Sequence, residues 1–290
     1  MEPSLSDIAS KGYADPVARL LSVGEPLDHN PASWPDDAET FELGQGHIAE
    51  LIRLACDVAL NERAPEIPGL WAPVHAWRAL RQLRAVDAVV PLLGYCDDAE
   101  DDETASSDLP FVFGMIGPPA IPHLAEVLSR KEVRVSTAGA AISGFKEVAQ
   151  RHPEHRSECV AFLTRFLERH EATDGLINGL AVRALLDLSA VEAIDAIRQA
   201  FHRNSVDISM AGDLEEVEIE LGLRKRRTTP KPRYQPFPAE RQARALPPRG
   251  QDRWQRPLPL RQRQEIQQML LALAKEYPKA DAVPRPLIPR

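Results

Sequence analysis

Residues 75–93 read His-Ala-Trp-Arg-Ala-Leu-Arg-Gln-Leu-Arg-Ala-Val-Asp-Ala-Val-Val-Pro-Leu-Leu, and residues 180–198 read Leu-Ala-Val-Arg-Ala-Leu-Leu-Asp-Leu-Ser-Ala-Val-Glu-Ala-Ile-Asp-Ala-Ile-Arg. The two stretches align without a gap at an offset of 105 residues. Ala76/Ala181, Arg78/Arg183, Ala79/Ala184, Leu80/Leu185, Leu83/Leu188, Ala85/Ala190, Val86/Val191 and Ala88/Ala193 coincide, and acid meets acid at Asp87/Glu192. An offset of that size accommodates roughly three helical hairpins with their loops. A unit between them is visible in Phe113 to Leu124, whose Ala-Ile-Pro-x-Leu echoes Val89-Val90-Pro91-Leu92-Leu93. Each unit shows apolar residues at helical spacing and a short turn, and in the units at 75–93 and 113–124 the second helix starts near a proline. Proline is tolerated in a first helical turn because the N–H it lacks has no intrahelical acceptor there.

This pattern resembles the HEAT-like repeats grouped with those of the phycobilisome lyases. The resemblance covers residues 70–205 and is clearest at 75–93, 113–128 and 180–198. It implies an all-α fold, a right-handed α-solenoid of HEAT-like hairpins spanning residues 1–223. Such repeats serve many unrelated tasks as scaffolds, so the resemblance speaks to fold more than to function.

The rest of the chain reads consistently with helices. Aromatic residues make up only 6% of the 290, which favours packing through Ala, Leu and Val over a sandwich or barrel. Leu5 to Val23 and Gly44 to Leu60 read as an N-terminal pair, with a proline-rich loop from Glu25 to Asp37. Val135 to Gln150 and Glu154 to His170 read as a further hairpin, closed by Asp174-Gly175. Asp213 to Gly222 reads as a short acidic helix that caps the last repeat. Gly114 and Gly117 are both assigned to a hairpin turn.

Charge divides the chain sharply. Residues 1–223 hold 18 Lys and Arg against 38 Asp and Glu, a net of −20, whereas 224–290 hold 17 against 5, a net of +12. Between Arg224 and Arg263 lie 13 basic residues and 8 prolines without helical periodicity. Residues 224–259 are therefore expected to be an extended basic linker or arm. Helical spacing returns at Ile266, Met269, Leu270, Leu273 and Tyr277, which predicts an amphipathic helix over 260–278, followed by a tail at 279–290. No basic and apolar leader and no membrane-spanning run is present, and three unpaired cysteines, Cys56, Cys96 and Cys159, suit a reducing compartment; a cytoplasmic protein off the membrane is expected.

No constellation of residues points to catalysis, a cofactor or a metal. His152-x-x-His155 with Cys159 offers metal-capable groups, yet no second cluster completes a four-ligand set, and a solvated turn is the expected reading. His75 and His123 occupy comparable places in the repeat, where packing or helix-end roles are expected. Asp97, Asp98, Asp101 and Asp102 form a negative run without the alternating ligands and central glycine of a calcium loop. A solvated loop or a contact for a basic segment remain open for it. Trp71 has no repeat counterpart and is a candidate surface anchor.

Arg224, Arg226 and Arg227, with Tyr234 and Trp254 further along, mix cations and aromatics as a single-stranded nucleic-acid surface would. The acidic body favours a contact between this arm and its own surface, or that of a neighbouring subunit, over nucleic acid. The leading expectation is a non-enzymatic scaffold or adaptor for a protein partner. A bilin lyase-like enzyme or chaperone, implied by the resemblance, and a nucleic-acid-binding protein remain the alternatives.

Overall fold

The computed structural model describes residues 12–26, 30–31, 33–61, 69–99, 102–169 and 174–233. The expected helix at 260–278, the tail, and Asp101, Tyr234 and Trp254 lie outside the described residues. Those described are all-helical, with thirteen α-helices and six short 3-10 helices. In chain order the α-helices are α1 (Asp37–Thr40), α2 (Ile48–Ala55), α3 (Val58–Asn61), α4 (Ala72–Gln82), α5 (Val89–Asp98), α6 (Glu103–Ile116) and α7 (Ile121–Leu128). There follow α8 (Val135–Arg151), α9 (Arg156–Arg169), α10 (Gly175–Asp187), α11 (Ile194–His202), α12 (Ile208–Ala211) and α13 (Leu214–Glu220).

The hairpins share one construction. A single 3-10 turn runs directly into the second helix each time: Val86–Ala88 into α5, Pro118–Ala120 into α7, Pro153–His155 into α9 and Val191–Ala193 into α11. First helices pack side by side in the order α4, α6, α8, α10, while α5 packs on α7 and α9 on α11. The quoted stretches are thus α4–α5 and α10–α11, three hairpins apart.

Their equivalence extends to the backbone. Arg84 and Ser189, 105 residues apart, both adopt left-handed φ, 49° and 50°. Each is followed by an alanine whose N–H reaches back to the carbonyl of the third residue from the helix end, Ala85 to Leu80 at 3.0 Å and Ala190 to Leu185 at 2.9 Å. This is the Schellman closure, which satisfies carbonyls that a helix end leaves open. The same closure recurs at Glu42, Asn204 and Gly222. At the other helix ends, aspartates do the work: Asp36, Asp102, Asp174, Asp207 and Asp213 each accept hydrogen bonds from first-turn N–H groups. Five of the body's carboxylates therefore sit at helix N-termini, where the macrodipole favours an anion.

Several expectations need correction. The N-terminal pair is more broken than its periodicity predicts, with a 3-10 helix at Val17–Ser22 and a break at Cys56-Asp57 between α2 and α3; residues 5–11 of the pair lie outside the described residues. Gly114 is not in a turn: it lies within α6, where an added Cβ would sit 2.6 Å from the Glu147 Cβ of α8. Gly117 alone makes the turn, at φ 90°. Position 114 is glycine because two helices approach there, and the same single-residue signal in the sequence serves both purposes.

The core is one continuous cluster along the hairpins, with Leu80 and Leu185 both fully buried. Replacing either leucine by alanine is expected to cost about 2–5 kcal/mol in denaturant unfolding. Near-neutral effects at both positions would contradict the shared register.

Candidate functional site

Across the first helices runs a row of polar side chains whose members hand charge from one hairpin to the next. At its N-terminal end His75 of α4 is 3% exposed. Its Nδ1 lies 3.1 Å from Asp37 Oδ2 and its Nε2 lies 3.0 Å from the Gly24 carbonyl. A carbonyl only accepts, so Nε2 is the donor to Gly24, while Nδ1 shares a hydrogen bond with the Asp37 carboxyl. The imidazole thereby ties the segment around Gly24 and α1 to α4, a helix-fixing role as expected for this position.

One turn along α4, Arg78 is 1% exposed and stacks on the Trp34 ring at 4.5 Å, and Arg81 stacks on the same ring at 4.9 Å. Arg81 also donates to Met115 Sδ at 2.8 Å and to the Trp34 carbonyl at 3.4 Å. Burial, and then the neighbouring Arg78 cation, hold the Arg81 pKa below its usual value. Cation–π contact supplies part of what a lost hydration shell would give. Trp34 in turn meets Phe111 of α6 edge-on at 6.4 Å, and Arg151 of α8 lies 5.8 Å from the Phe111 ring.

From α8 onward the row is ionic. Glu147 takes Arg151 at 3.5 Å and Lys146 at 3.5 Å; Lys146 reaches Asp187 of α10 at 3.8 Å. Arg183 donates to Asp187 at 2.8 Å and to Glu220 at the end of α13 at 3.1 Å. Exposure changes along the row without rising steadily: the Arg151 side chain is 35% exposed, Glu147 7%, Lys146 25%, Asp187 31%, Arg183 35% and Glu220 45%. The repeat-equivalent pair Arg78 and Arg183 shows the change most directly, since one is enclosed and the other faces solvent. Both were visible as an identity in the repeat. What the alignment lacks is the neighbour: Trp34 before the first repeat and Glu220 after the last.

The row ends against the arm. Arg224 donates to Glu218 at 2.8 Å and to Glu215 at 2.9 Å, Arg227 donates to Asp213 at 2.8 Å, and Lys231 pairs with Glu216. Glu215 collects the Thr228 N–H at 3.0 Å, the Thr229 N–H at 3.1 Å and the Thr229 hydroxyl at 3.0 Å, together with the Thr228 hydroxyl. The acidic helix α13 thus holds residues 224–231 in cis, and ordered packing continues past Leu223, where the body was expected to end. Arg226 lies exposed beside these contacts.

Other candidates are placed individually. Asp102 caps α6 and accepts the Tyr95 hydroxyl at 3.0 Å; burial, then Asp102, raise the Tyr95 pKa. Asp97 accepts the Thr137 hydroxyl and lines an open groove of about 510 Å³ with Leu128, Arg134, Phe166, Asp174 and Ile177; Asp98 is exposed. Trp71 lies partly buried against the core at the start of α4, not as an exposed anchor. His155 faces Glu158 at 3.1 Å, His152 lies under Gly117, and Cys159 is buried. Burial pushes the thiols up, to about 11 for Cys56 and about 12 for Cys96 and Cys159, so they stay protonated at neutral pH. Among the described residues no single helix is long and apolar enough to cross a membrane; Thr104–Ile116 and Pro118–Leu128 qualify only together, and the chain bends by 112° between them.

No family model, curated protein or solved structure matches the chain.

The clasp has a defined pH dependence. The Thr228 and Thr229 hydrogen bonds lower Glu215 from 4.5 to about 2, Arg227 lowers Asp213, and Arg224 lowers Glu218. A carboxylate lowered by folding contributes its stabilisation above its ordinary value and loses it as pH falls through the folded one. Amide exchange at Thr228 and Thr229, corrected for intrinsic rates, should show constant protection from neutral pH down to the ordinary carboxylate range. Protection should then fall as pH approaches about 2. Protection that disappears while these carboxylates are still ionised would contradict the contacts described.

Proposed function

We propose that this chain is a non-enzymatic adaptor: a right-handed α-solenoid of HEAT-like hairpins that offers an extended, mixed-charge surface to a protein partner in the cytoplasm. The observation that carries the reading is the convergence of two features at the C-terminal end of the body. The polar row ends on the part-exposed charges Arg183, Asp187 and Glu220, and Glu220 belongs to the same helix that holds the basic arm. Stacked hairpins supply shape, and paired charges of both signs supply selectivity and encounter rate more than raw affinity. The charged groups of the row are engaged with one another, an arrangement that suits a recognition surface whose side chains exchange partners on docking.

The arm fits the same reading. With Arg224, Arg227 and Lys231 engaged on α13, the described start of the arm is held on the helix that carries Glu220, the end of the row. A partner that contacts both would gain from effective concentration without a new high-affinity site.

Affinity capture from the native host should compare the full chain, a chain ending at Arg233 that keeps the clasp, and the full chain carrying Arg183→Glu. The reading predicts a discrete protein bound in stoichiometric amount by the full chain and weakened by either change. Nucleic acid or a pigment retained at high salt by all three would replace the adaptor reading with one of its alternatives.

A further inference from the structure

Thr228 and Thr229 lie in Arg224-Lys225-Arg226-Arg227-Thr228-Thr229-Pro230, immediately after four consecutive cations. Both are exposed and outside any helix, yet their hydroxyls and backbone N–H groups converge on one carboxylate, Glu215. Around Glu215 stand Asp213, Glu216 and Glu218, each paired with Arg224, Arg227 or Lys231. Each hydroxyl donates to the Glu215 carboxylate, and the Thr228 hydroxyl also accepts from Arg224 Nη1.

We propose that Thr228 is a phosphorylation site and that its modification unlatches the basic arm from α13. An exposed hydroxyl in a non-helical segment, preceded by a run of cations, has the charge pattern read by a protein kinase whose peptide cleft is acidic. The reaction requires a nucleoside triphosphate and such a kinase. Thr228 Oγ1 bonds to the γ-phosphorus, the bridging P–O bond to the β-phosphate breaks, the nucleoside diphosphate leaves, and the hydroxyl proton passes to the kinase's base.

The consequence follows from what Glu215 meets. Before modification it accepts a proton-bearing hydroxyl; afterwards the same oxygen carries a group of about −1.5 to −2 charge that only accepts. Donation becomes repulsion, and the added anion draws Arg224, whose Nη1 already lies 3.2 Å from Thr228 Oγ1, away from Glu215 and Glu218. The threonines themselves are exposed, and Glu218 alone among the carboxylates that hold the segment is buried, so local fluctuation of this short segment frees the hydroxyls without unfolding of the body. Release frees Arg224, Arg227 and Lys231, and with them the start of the arm, for other anionic surfaces. The proposal stands independently of what the body binds.

The test uses the full chain, the variants Thr228→Val, Thr229→Val and Glu215→Gln, and a free peptide spanning 222–233, each treated with a basic-residue-directed Ser/Thr kinase and Mg-ATP. Phosphate is mapped by peptide mass spectrometry, and the clasp is followed by amide exchange at Thr228 and Thr229. Expected are phosphate on Thr228 of both chain and peptide, its loss from that position in Thr228→Val, and exchange faster by about tenfold or more in the modified chain. Glu215→Gln should speed exchange without phosphate while leaving the body folded. Three results would overturn the proposal: no phosphate on either chain or peptide, phosphate on the peptide but not the chain, or a phosphorylated chain whose exchange protection is unchanged.

Discussion

Helices α6 and α8 approach so closely at Gly114 that a single methyl group there would stand 2.6 Å from the Glu147 Cβ and 3.1 Å from its backbone carbonyl carbon. The nearest obstacle includes backbone, so no rotamer change relieves it. Close approach at this crossing sets the spacing of the first helices, and with it which side chains can lie between them. Opposite, Gly144 of α8 leaves room for Phe113 and Leu124 at 3.1 and 3.3 Å from where a Cβ would sit. Alanine does the same work elsewhere: Ala138, Ala140 and Ala141 of α8 and Ala181 and Ala184 of α10 are all buried. Small residues allow close-packed interiors with few voids, which is how a chain with little aromatic content still closes a core.

Tight stacking also forces the polar groups between hairpins to find partners inside the protein, because water is excluded and an unpaired buried charge costs several kcal/mol. At the N-terminal end the answer is His75 on Asp37 and two arginines stacked on Trp34; at the C-terminal end it is a network of carboxylates and cations linking α8, α10 and α13. The row is thus a consequence of packing before it is a surface. Packing relaxes at Arg183, Asp187 and Glu220, whose charges remain in reach of solvent. On the same helix the arm is held by ionic contacts to carboxylates that range from buried, at Glu218, to part-exposed, at Asp213 and Glu216.

Much of the fold could be read from the residues because repetition repeats its constraints. Leu80 and Leu185, Ala88 and Ala193, and the turn residues Arg84 and Ser189 occupy the same environments, so one reading of helical periodicity served twice. The proline-started second helices and the acidic helix at 213–222 were legible for the same local reason. The site was less so. Arg78 and Arg183 are identical in sequence and opposite in environment, since the difference is set by Trp34 and Glu220, residues from outside the repeat. Gly114 looked like a turn residue because glycine carries one signal for two physical causes. Asp102 looked like surface charge, whereas its carboxylate is engaged by the first turn of α6 and by Tyr95. In each case the missing information was a neighbour distant in sequence.

The account turns on the α6–α8 crossing, and one substitution sets two physical effects against each other there. By helix propensity alone, Gly114→Ala in the middle of α6 should stabilise the protein by about 1 kcal/mol. If the crossing is as close as described, the added methyl must push the helices apart, and equilibrium unfolding in denaturant should show a loss of about 1–3 kcal/mol instead. A variant as stable as the parent, or more stable, would contradict the spacing on which the stacking and the polar row both depend.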